Sequence, residues 1–322
     1  MKNTFNSLPK LARHFQNEGF CRDYLAEKRW GNTPACPYCG NAGKIWRIEN
    51  SKRYKCKECQ KKFSVTVGTI FEDTKIKLNI WFQAIYFITT SKKGISSLQL
   101  ASQLGVTQKT AWIINHKIRD MLKEKDITTL SNFVEADETY IGGREQNKHA
   151  HKKATALKPD LTISEKIKLN TGRSIHDKAV VLGIIERNGK VVAMRVPDAK
   201  AEHILPIIEK HVNKDATMLT DEWYGYGRLE QMGYAHKTIQ HNLKVYAKGE
   251  VHTNTIENFW SIFKRGVYGI YHSISQKHLD RYINEFSGRF NTRNISNTER
   301  FDLILSNSEG NLSYNKLVSK NA

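Results

Sequence analysis

The sequence predicts an α/β protein in three parts: a four-cysteine ribbon, a helical region containing a tight helix-turn-helix, and a mixed sheet flanked by helices. Three observations carry that prediction. Two Cys-x-x-Cys pairs stand sixteen residues apart near the amino terminus. Between residues 75 and 125 apolar side chains recur at helical spacing. From residue 133 onward, short apolar strands and amphipathic helices follow one another, and they carry three well-placed acids, Asp137, Asp221 and Glu257.

Composition narrows the setting. At 322 residues the chain is long enough for two or three folding units. Its formal net charge is +19 and its isoelectric point about 9.6. Residues 1–126 carry 23 Lys/Arg against 10 Asp/Glu, and the remainder 28 against 22, so the first third is the more basic part. Such a field favours a polyanion, with nucleic acid the first expectation. No apolar run approaches the roughly 18–20 residues of a membrane span; the longest, around residues 80–88, is interrupted by Gln83. The start MKNTFNSLPK lacks a signal-peptide apolar core. Five cysteines, four of them in CxxC pairs, argue against a secreted disulfide scaffold. A cytoplasmic, nucleoid-associated protein is the expectation.

Residues 1–34 read as a helical lead-in whose Phe15, Phe20, Tyr24, Leu25 and Trp30 offer apolar surface, with Cys21 as a small buried residue. Cys36, Cys39, Cys56 and Cys59 have the C-x2-C-x15–20-C-x2-C spacing of a tetrahedral structural zinc site. Each pair makes a tight turn that aims two thiolates at one Zn²⁺, and Gly40 suits the first turn. A closed four-thiolate site has no open position, so no catalysis is assigned to it. Residues 45–48, 52–55 and 61–65 supply basic, aromatic strands to this ribbon, and the first part spans residues 1–70.

Residues 71–128 form the second part. Ile80, Trp81, Ala84, Ile85 and Ile88 define one helix. Residues 96–104 form a short helix, Gly105-Val106 a turn, and Thr107 caps a second helix reaching residue 122. In a helix-turn-helix, Gln108, Lys109 and Thr110 would meet base edges or phosphates. In an ordinary helical hairpin the same segment would bury Leu98, Leu104, Ile114 and Ile118.

The third part covers residues 129–305. Residues 133–141 (FVEADETYI) form a strand bearing the first acid. Residues 144–177 are polar, carry eight Lys/Arg against four Asp/Glu, and read as a long basic insertion for phosphate contact or as a solvated loop. Residues 178–187 and 191–196 make a hairpin turning at Asn188-Gly189. A helix over 201–212 and a strand over 216–220 follow, the strand delivering Asp221 at its end. About thirty irregular residues then lead to a helix opened by Thr253-Asn254. The order β-β-β-α-β-α matches an RNase H-like catalytic core, and residues 306–322 read as a polar, frayed tail.

The acids carry the chemistry. Moving a phosphodiester bond needs an activated oxygen nucleophile, a stabilised leaving oxygen and charge neutralisation at phosphorus, which two hard cations about 3.5–4 Å apart can supply. Mg²⁺ binds few protein carboxylates and takes further oxygens from substrate phosphate, so three converging acids suffice. Strand alternation puts Glu135 on the same face as Asp137 and leaves it a rival first acid, while Glu138 points the other way. Asn254 as N-cap would place Glu257 at N3 of a capping box. Against that reading, Glu257 and Lys264 share one flank beside the stripe Ile256, Phe259, Trp260, Phe263 and Val267.

The run VEADETYIGG, LTDEWYGY and VHTNTIENFWSIFKRG, with thirty-five residues between second and third acid and Lys264 seven beyond the third, resembles the DDE transposases. With CPYCG and CKECQKKFSVTVGTIFEDTKI ahead of it, nearly the whole chain resembles bacterial zinc-ribbon insertion-sequence transposases akin to eukaryotic Merlin elements. The resemblance implies Asp137, Asp221 and Glu257 as catalytic ligands of two Mg²⁺ or Mn²⁺ ions, Lys264 with Arg265 as DNA contacts, and one structural Zn²⁺ on the four cysteines. It implies binding to terminal inverted repeats, 3′-end cleavage and strand transfer into target DNA by at least a homodimer. A non-catalytic DNA-binding regulator derived from a transposase, or an RNase H-like nuclease that cuts without joining, are the alternatives.

Overall fold

The computed structural model describes residues 5–48, 51–126, 129–143, 149–153, 160, 162–165, 178–239 and 252–319. The chain divides into two compact units, residues 1–123 with 292–322, and residues 124–291.

In the first unit, α1 (Leu8–His14) and α2 (Glu18–Trp30) precede a three-stranded antiparallel ribbon of β1 (Ile45–Arg47), β2 (Arg53–Cys56) and β3 (Lys62–Ser64). Helix α2 starts where the Asn17 side chain accepts the Gly19 amide, and Phe15, Tyr24 and Leu25 are buried while Phe20 stays exposed. Cys21 is fully buried, and burial pushes its thiol up to about 12, so it acts as a small apolar residue.

Helix α3 (Leu78–Thr90) buries the expected apolar face. Helix α4 (Ser97–Leu104) opens on a Ser96 cap and ends at Gly105 in the left-handed conformation (φ +65°), where a side chain would be strained. Thr107 then caps α5 (Gln108–Met121) by accepting the Thr110 amide. This is the expected helix-turn-helix. Leu104, Ile114 and Ile118 are buried, but Leu98 is 70% exposed, and Leu100 takes the core position.

The second unit is built on a five-stranded mixed sheet. Strands β4 (Phe133–Gly142), β5 (Lys178–Glu186) and β6 (Val191–Val196) form an antiparallel meander that turns at Asn188 (φ +60°). Helix α6 (Ala201–His211) leads to β7 (Thr217–Asp221), parallel to β4, and β8 (Ala235–Ile239) lies parallel outside it. The order is β6-β5-β4-β7-β8, that of an RNase H-like core.

Strand β8 falls inside the stretch expected to be irregular. Its AHKTI sequence has no clean apolar alternation, and only Ile239 is buried, as an edge strand permits. Helices α7 (Asn254–Gly266) and α8 (Leu279–Asn291) complete the unit. One sheet face buries Val134, Ala136, Val180, Leu182 and Ile184 with α6. The other buries Ile141, Val181 and Ile185 with Ile256, Phe259, Trp260 and Phe263 of α7.

Two boundaries differ from the sequence expectation. The core unit ends at residue 291, not 305: α9 (Asn297–Ser306) packs Phe301, Ile304 and Leu305 into the first unit's cluster with Phe5, Phe15 and Phe82. The segment after residue 306 is anchored there too, because Ser308 accepts the Ile70 amide, and Leu312 and Leu317 of the stretch containing α10 (Tyr314–Val318) are buried. Most of the basic insertion, residues 144–177, lies outside the described residues. Among the described residues no helix is long and apolar enough to cross a membrane.

Candidate active site and metal centre

The acids are positioned by strand register. Glu135 of β4 pairs with Leu219 of parallel β7, so continuing two residues along both strands brings Asp137 alongside Asp221 on one sheet face. Asp221 Oδ1 accepts the Trp223 amide at 3.0 Å, which fixes the carboxylate at the turn ending the strand. Glu222 is exposed. Asp137 Oδ1 accepts the Glu138 amide at 2.8 Å.

Burial pushes the Asp137 carboxyl up to about 6; the negative charges of Asp221 and Glu257 add to the rise, and Lys264 opposes it. Asp221, Glu257 and Lys264 therefore all act on the Asp137 carboxyl. The three acids do not close into a single-ion cage, since no choice of oxygens puts all three within 4.8 Å of one another. The donor set, three hard carboxylates with unbalanced like charge, fits hard divalent cations.

Glu257 lies on α7, where the capping-box alternative does not hold. Thr253, not Asn254, is the N-cap, so Glu257 lies one position beyond N3 and forms no capping box. The free amides at the helix start are met by Glu135 instead, which is fully buried. Its carboxylate accepts the Thr255 and Ile256 amides at 2.9 Å each, the Thr255 hydroxyl at 2.9 Å and Arg187 Nε at 2.8 Å. Arg187 also donates to the His252 carbonyl at 2.7 Å. Glu135 is thus a cap supplied from the neighbouring strand, and its role differs from that of Asp137. Thr253 Oγ1 donates to Glu257 Oε1 at 3.0 Å.

Close packing fixes the same helix from behind. Gly183 pairs with Asp137 across β4 and β5. A Cβ there would lie 2.4 Å from Trp260 Cζ2 and 2.8 Å from Ile256 Cδ1. A glycine inside the apolar run VVLGII is a sequence signal for such an approach.

On the opposite face, Tyr226 donates its hydroxyl to Glu138. Burial first, then the charges of Asp137 and Asp221, push Glu138 up to about 8 against that hydrogen bond. The pair ties the turn after Asp221 to β4. Nothing in local sequence pairs residues 88 apart.

Lys264 and Arg265 are exposed in the last turn of α7. Gln108, Lys109 and Thr110 lie in the first turn of α5: Gln108 Nε2 donates to Ser97 Oγ at 2.9 Å, Lys109 Nζ sits 4.4 Å from the Tyr314 ring centre, and Thr110 shares a hydroxyl hydrogen bond with Thr107.

In the first unit the four cysteine sulfurs lie within 4.8 Å of one another. Cys36 and Cys59 are 3.6 Å apart and Cys39 and Cys56 3.7 Å, close to the roughly 3.8 Å edge of a tetrahedron with Zn–S bonds of about 2.3 Å. Each knuckle is followed by a residue with positive φ, Gly40 at +72° and Gln60 at +57°. The set fits Zn²⁺, which would link the two knuckles of a ribbon with little core of its own. A second group, Asp198, Glu202 and His203, is also within that range. There Lys200 Nζ lies 3.3 Å from Asp198 and 3.4 Å from Glu202, and His203 Nδ1 2.6 Å from Asp198, so protein donors already serve the acids.

Comparison with known proteins agrees with this geometry. Residues 129–291 match the family described as ISXO2-like transposase domain, and residues 16–62 the transposase zinc-ribbon domain. An uncharacterized protein in transposable element ISH50 of Halobacterium salinarum is 26% identical over 286 residues, 85% of this chain and 91% of its own length. An uncharacterized transposase-like protein of Haemophilus influenzae is 31% identical over 106 residues, 33% of this chain and 85% of its own. A crystal structure of a pre-cleavage Mos1 transpososome covers 71% of this chain and 79% of that one, at 12% identity and a TM-score of 0.26, too slight a likeness to bear on the fold. With an acid-bearing mixed sheet matched across its whole extent and a four-cysteine ribbon ahead of it, the chain belongs to the ISXO2-like family of DDE insertion-sequence transposases.

Proposed function

We propose that this transposase binds the terminal inverted repeats of its element, cleaves the 3′ ends and transfers them into target DNA. The observation that supports the reading best is the convergence of Asp137, Asp221 and Glu257 on one face, with Lys264 acting on the same carboxyl. Mg²⁺ or Mn²⁺ ions held by the three acids would activate the attacking oxygen and stabilise the leaving one.

The residues of the chain do the rest. Asp137 and Asp221, fixed by strand pairing, and Glu257, fixed by the Glu135 cap, would hold those cations, whose positive charge would draw in the reacting phosphate. Lys264 and Arg265 neutralise the flanking phosphates. Water cuts first and frees a 3′-hydroxyl; that hydroxyl then attacks a target phosphodiester by direct transesterification. Gln108, Lys109 and Thr110 meet the repeat, and two ends held together require at least a homodimer on DNA. Binding through so many cations should weaken steeply with salt.

The test is a strand-transfer assay with labelled DNA from the two flanks of the gene, with Mg²⁺ or Mn²⁺ and an Asp221→Asn control. Joined products lost in the control are expected. Binding without cleavage by the unaltered protein under either metal would overturn the catalytic assignment, and free breaks without joining would make it a nuclease.

A further inference from the structure

A cavity of about 540 Å³ opens in the second unit. Its walls come from the end of β4, including Tyr140 and Gly142, from Lys178 opening β5, and from Lys264, Tyr268 and His272 at and beyond the end of α7. Two backbone irregularities shape it. A π-helical turn over Val267–Tyr271 follows α7, and His272 holds φ +58°, a left-handed value rare for a residue with a side chain. Single π turns are frequent at functional sites, and strained backbone likewise. Tyr268 rides on this turn and is 49% exposed.

Lys264 belongs both to the cavity and to the acid neighbourhood. Tyr140 and Gly142 lie three and five residues beyond Asp137 on β4, roughly 10–17 Å at about 3.3 Å per residue. That span equals roughly three to five nucleotides at about 3.4 Å each. The volume lies within the ~300–1,000 Å³ of pockets for small ligands and is too small for a duplex. The exposed Tyr268 ring, with Lys264 and Lys178 on the same walls, suits a ligand that has a flat π face and an anionic handle. A nucleotide has both.

We propose that this cavity receives one unstacked nucleotide of the DNA end, its base against Tyr268 and its phosphate beside Lys264. The inference deepens the transposase reading and rests on it. Enzymes acting on DNA often take a base out of the stack, and stacking on an aromatic ring tolerates any base. The cavity would thereby fix the DNA end relative to the acids a few nucleotides away.

The test uses the full zinc-loaded chain and duplexes of the gene's flanking DNA carrying 5-iododeoxyuridine, or 2-aminopurine, at successive terminal positions, with Ca²⁺ present. A photocrosslink to Tyr268 from one position, and a rise in 2-aminopurine fluorescence there, are expected. Tyr268→Ala should abolish the rise and weaken end binding roughly tenfold, the worth of one stacked base, whereas Tyr268→Phe should keep both. No crosslink to Tyr268, with Tyr268→Ala binding as the unaltered protein does, would overturn the cavity assignment even if cleavage and joining proceed. Crosslinks at the cavity, with no cleavage once Mg²⁺ or Mn²⁺ replaces Ca²⁺, would keep it and sink the catalytic reading instead.

Discussion

Replacing Glu135 by Gln tests whether the third acid is placed by a cap from another strand. The buried carboxylate accepts four hydrogen bonds, from two backbone amides, a hydroxyl and the Arg187 guanidinium. An amide of the same shape offers one accepting oxygen and turns an NH₂ toward donors, so about two of those bonds are lost. At roughly 1.5–3 kcal/mol for each bond to a charged group, the loss is about 3–6 kcal/mol. That agrees with the ~3–5 kcal/mol seen when one partner of a buried ion pair is removed. Urea unfolding followed by circular dichroism reads the stability, and the Mg²⁺ dependence of end cleavage reads the placement of Glu257. Expected are a fall in stability of that size and a higher Mg²⁺ requirement, with DNA-end binding retained. Removing both charges in Glu135→Gln/Arg187→Met should be milder than the two single losses added, because no guanidinium is left unpaired. Stability within about 1 kcal/mol of the unaltered protein, or an unchanged Mg²⁺ requirement, would refute the capping argument.

Four further outcomes are expected. Gly183→Ala should cost about 1–3 kcal/mol by overpacking Trp260 and Ile256, and should depress cleavage more than end binding, since the displaced helix carries Glu257. Lys264→Ala should lower the slope of log affinity against log salt by about 1, measured by filter binding at several salt concentrations. Stripping zinc with a chelator, or Cys36→Ser, should release one zinc per chain by mass spectrometry and abolish end binding, while the Glu124–Asn291 unit keeps its melting transition. Because the Asp137 carboxyl stands at about 6, above its unfolded value of 3.8, it favours the metal-free fold at low pH and loses that contribution as pH rises through 6. Asp137→Asn should therefore abolish cleavage yet gain stability over the unaltered metal-free protein by up to about 3 kcal/mol between pH 5 and pH 8, as read by urea titration.

What was legible in the sequence was local. The cysteine spacing fixed the ribbon because each knuckle closes within four residues, and Ser96, Gly105 and Thr107 marked the helix-turn-helix because caps and left-handed turns act on neighbouring amides. Strand and helix patterns placed the candidate acids on their elements and left Glu135 and Asp137 open as the first of them. What escaped depends on partners far along the chain. Strand β8 has too few buried side chains to show a period, and only its pairing with β7 makes it a strand. Helix α9 has an ordinary amphipathic pattern that cannot say which core it joins; Phe301 against Phe5 and Phe82 decides it. The cap on α7 comes from a residue 120 positions upstream, which the local Thr253-Asn254 sequence cannot show.

Glu135 and Asp137 make the same point about function. They are two residues apart on one face of one strand, and alternation alone cannot rank them. Their surroundings do. Glu135 meets a guanidinium, two amides and a hydroxyl, so its negative charge is matched by the protein and nothing further is required. Asp137 accepts a single backbone amide and faces two more carboxylates, with one lysine in opposition. Such a charge stays unfavourable until a proton or a cation joins it. A buried acid satisfied by protein donors serves the fold, and one left among its own kind calls for an external cation. The strand thus places both requirements of the site next to each other, a fixed helix and an unmatched charge, and the helix held by the first acid is the one that delivers Glu257 toward the second.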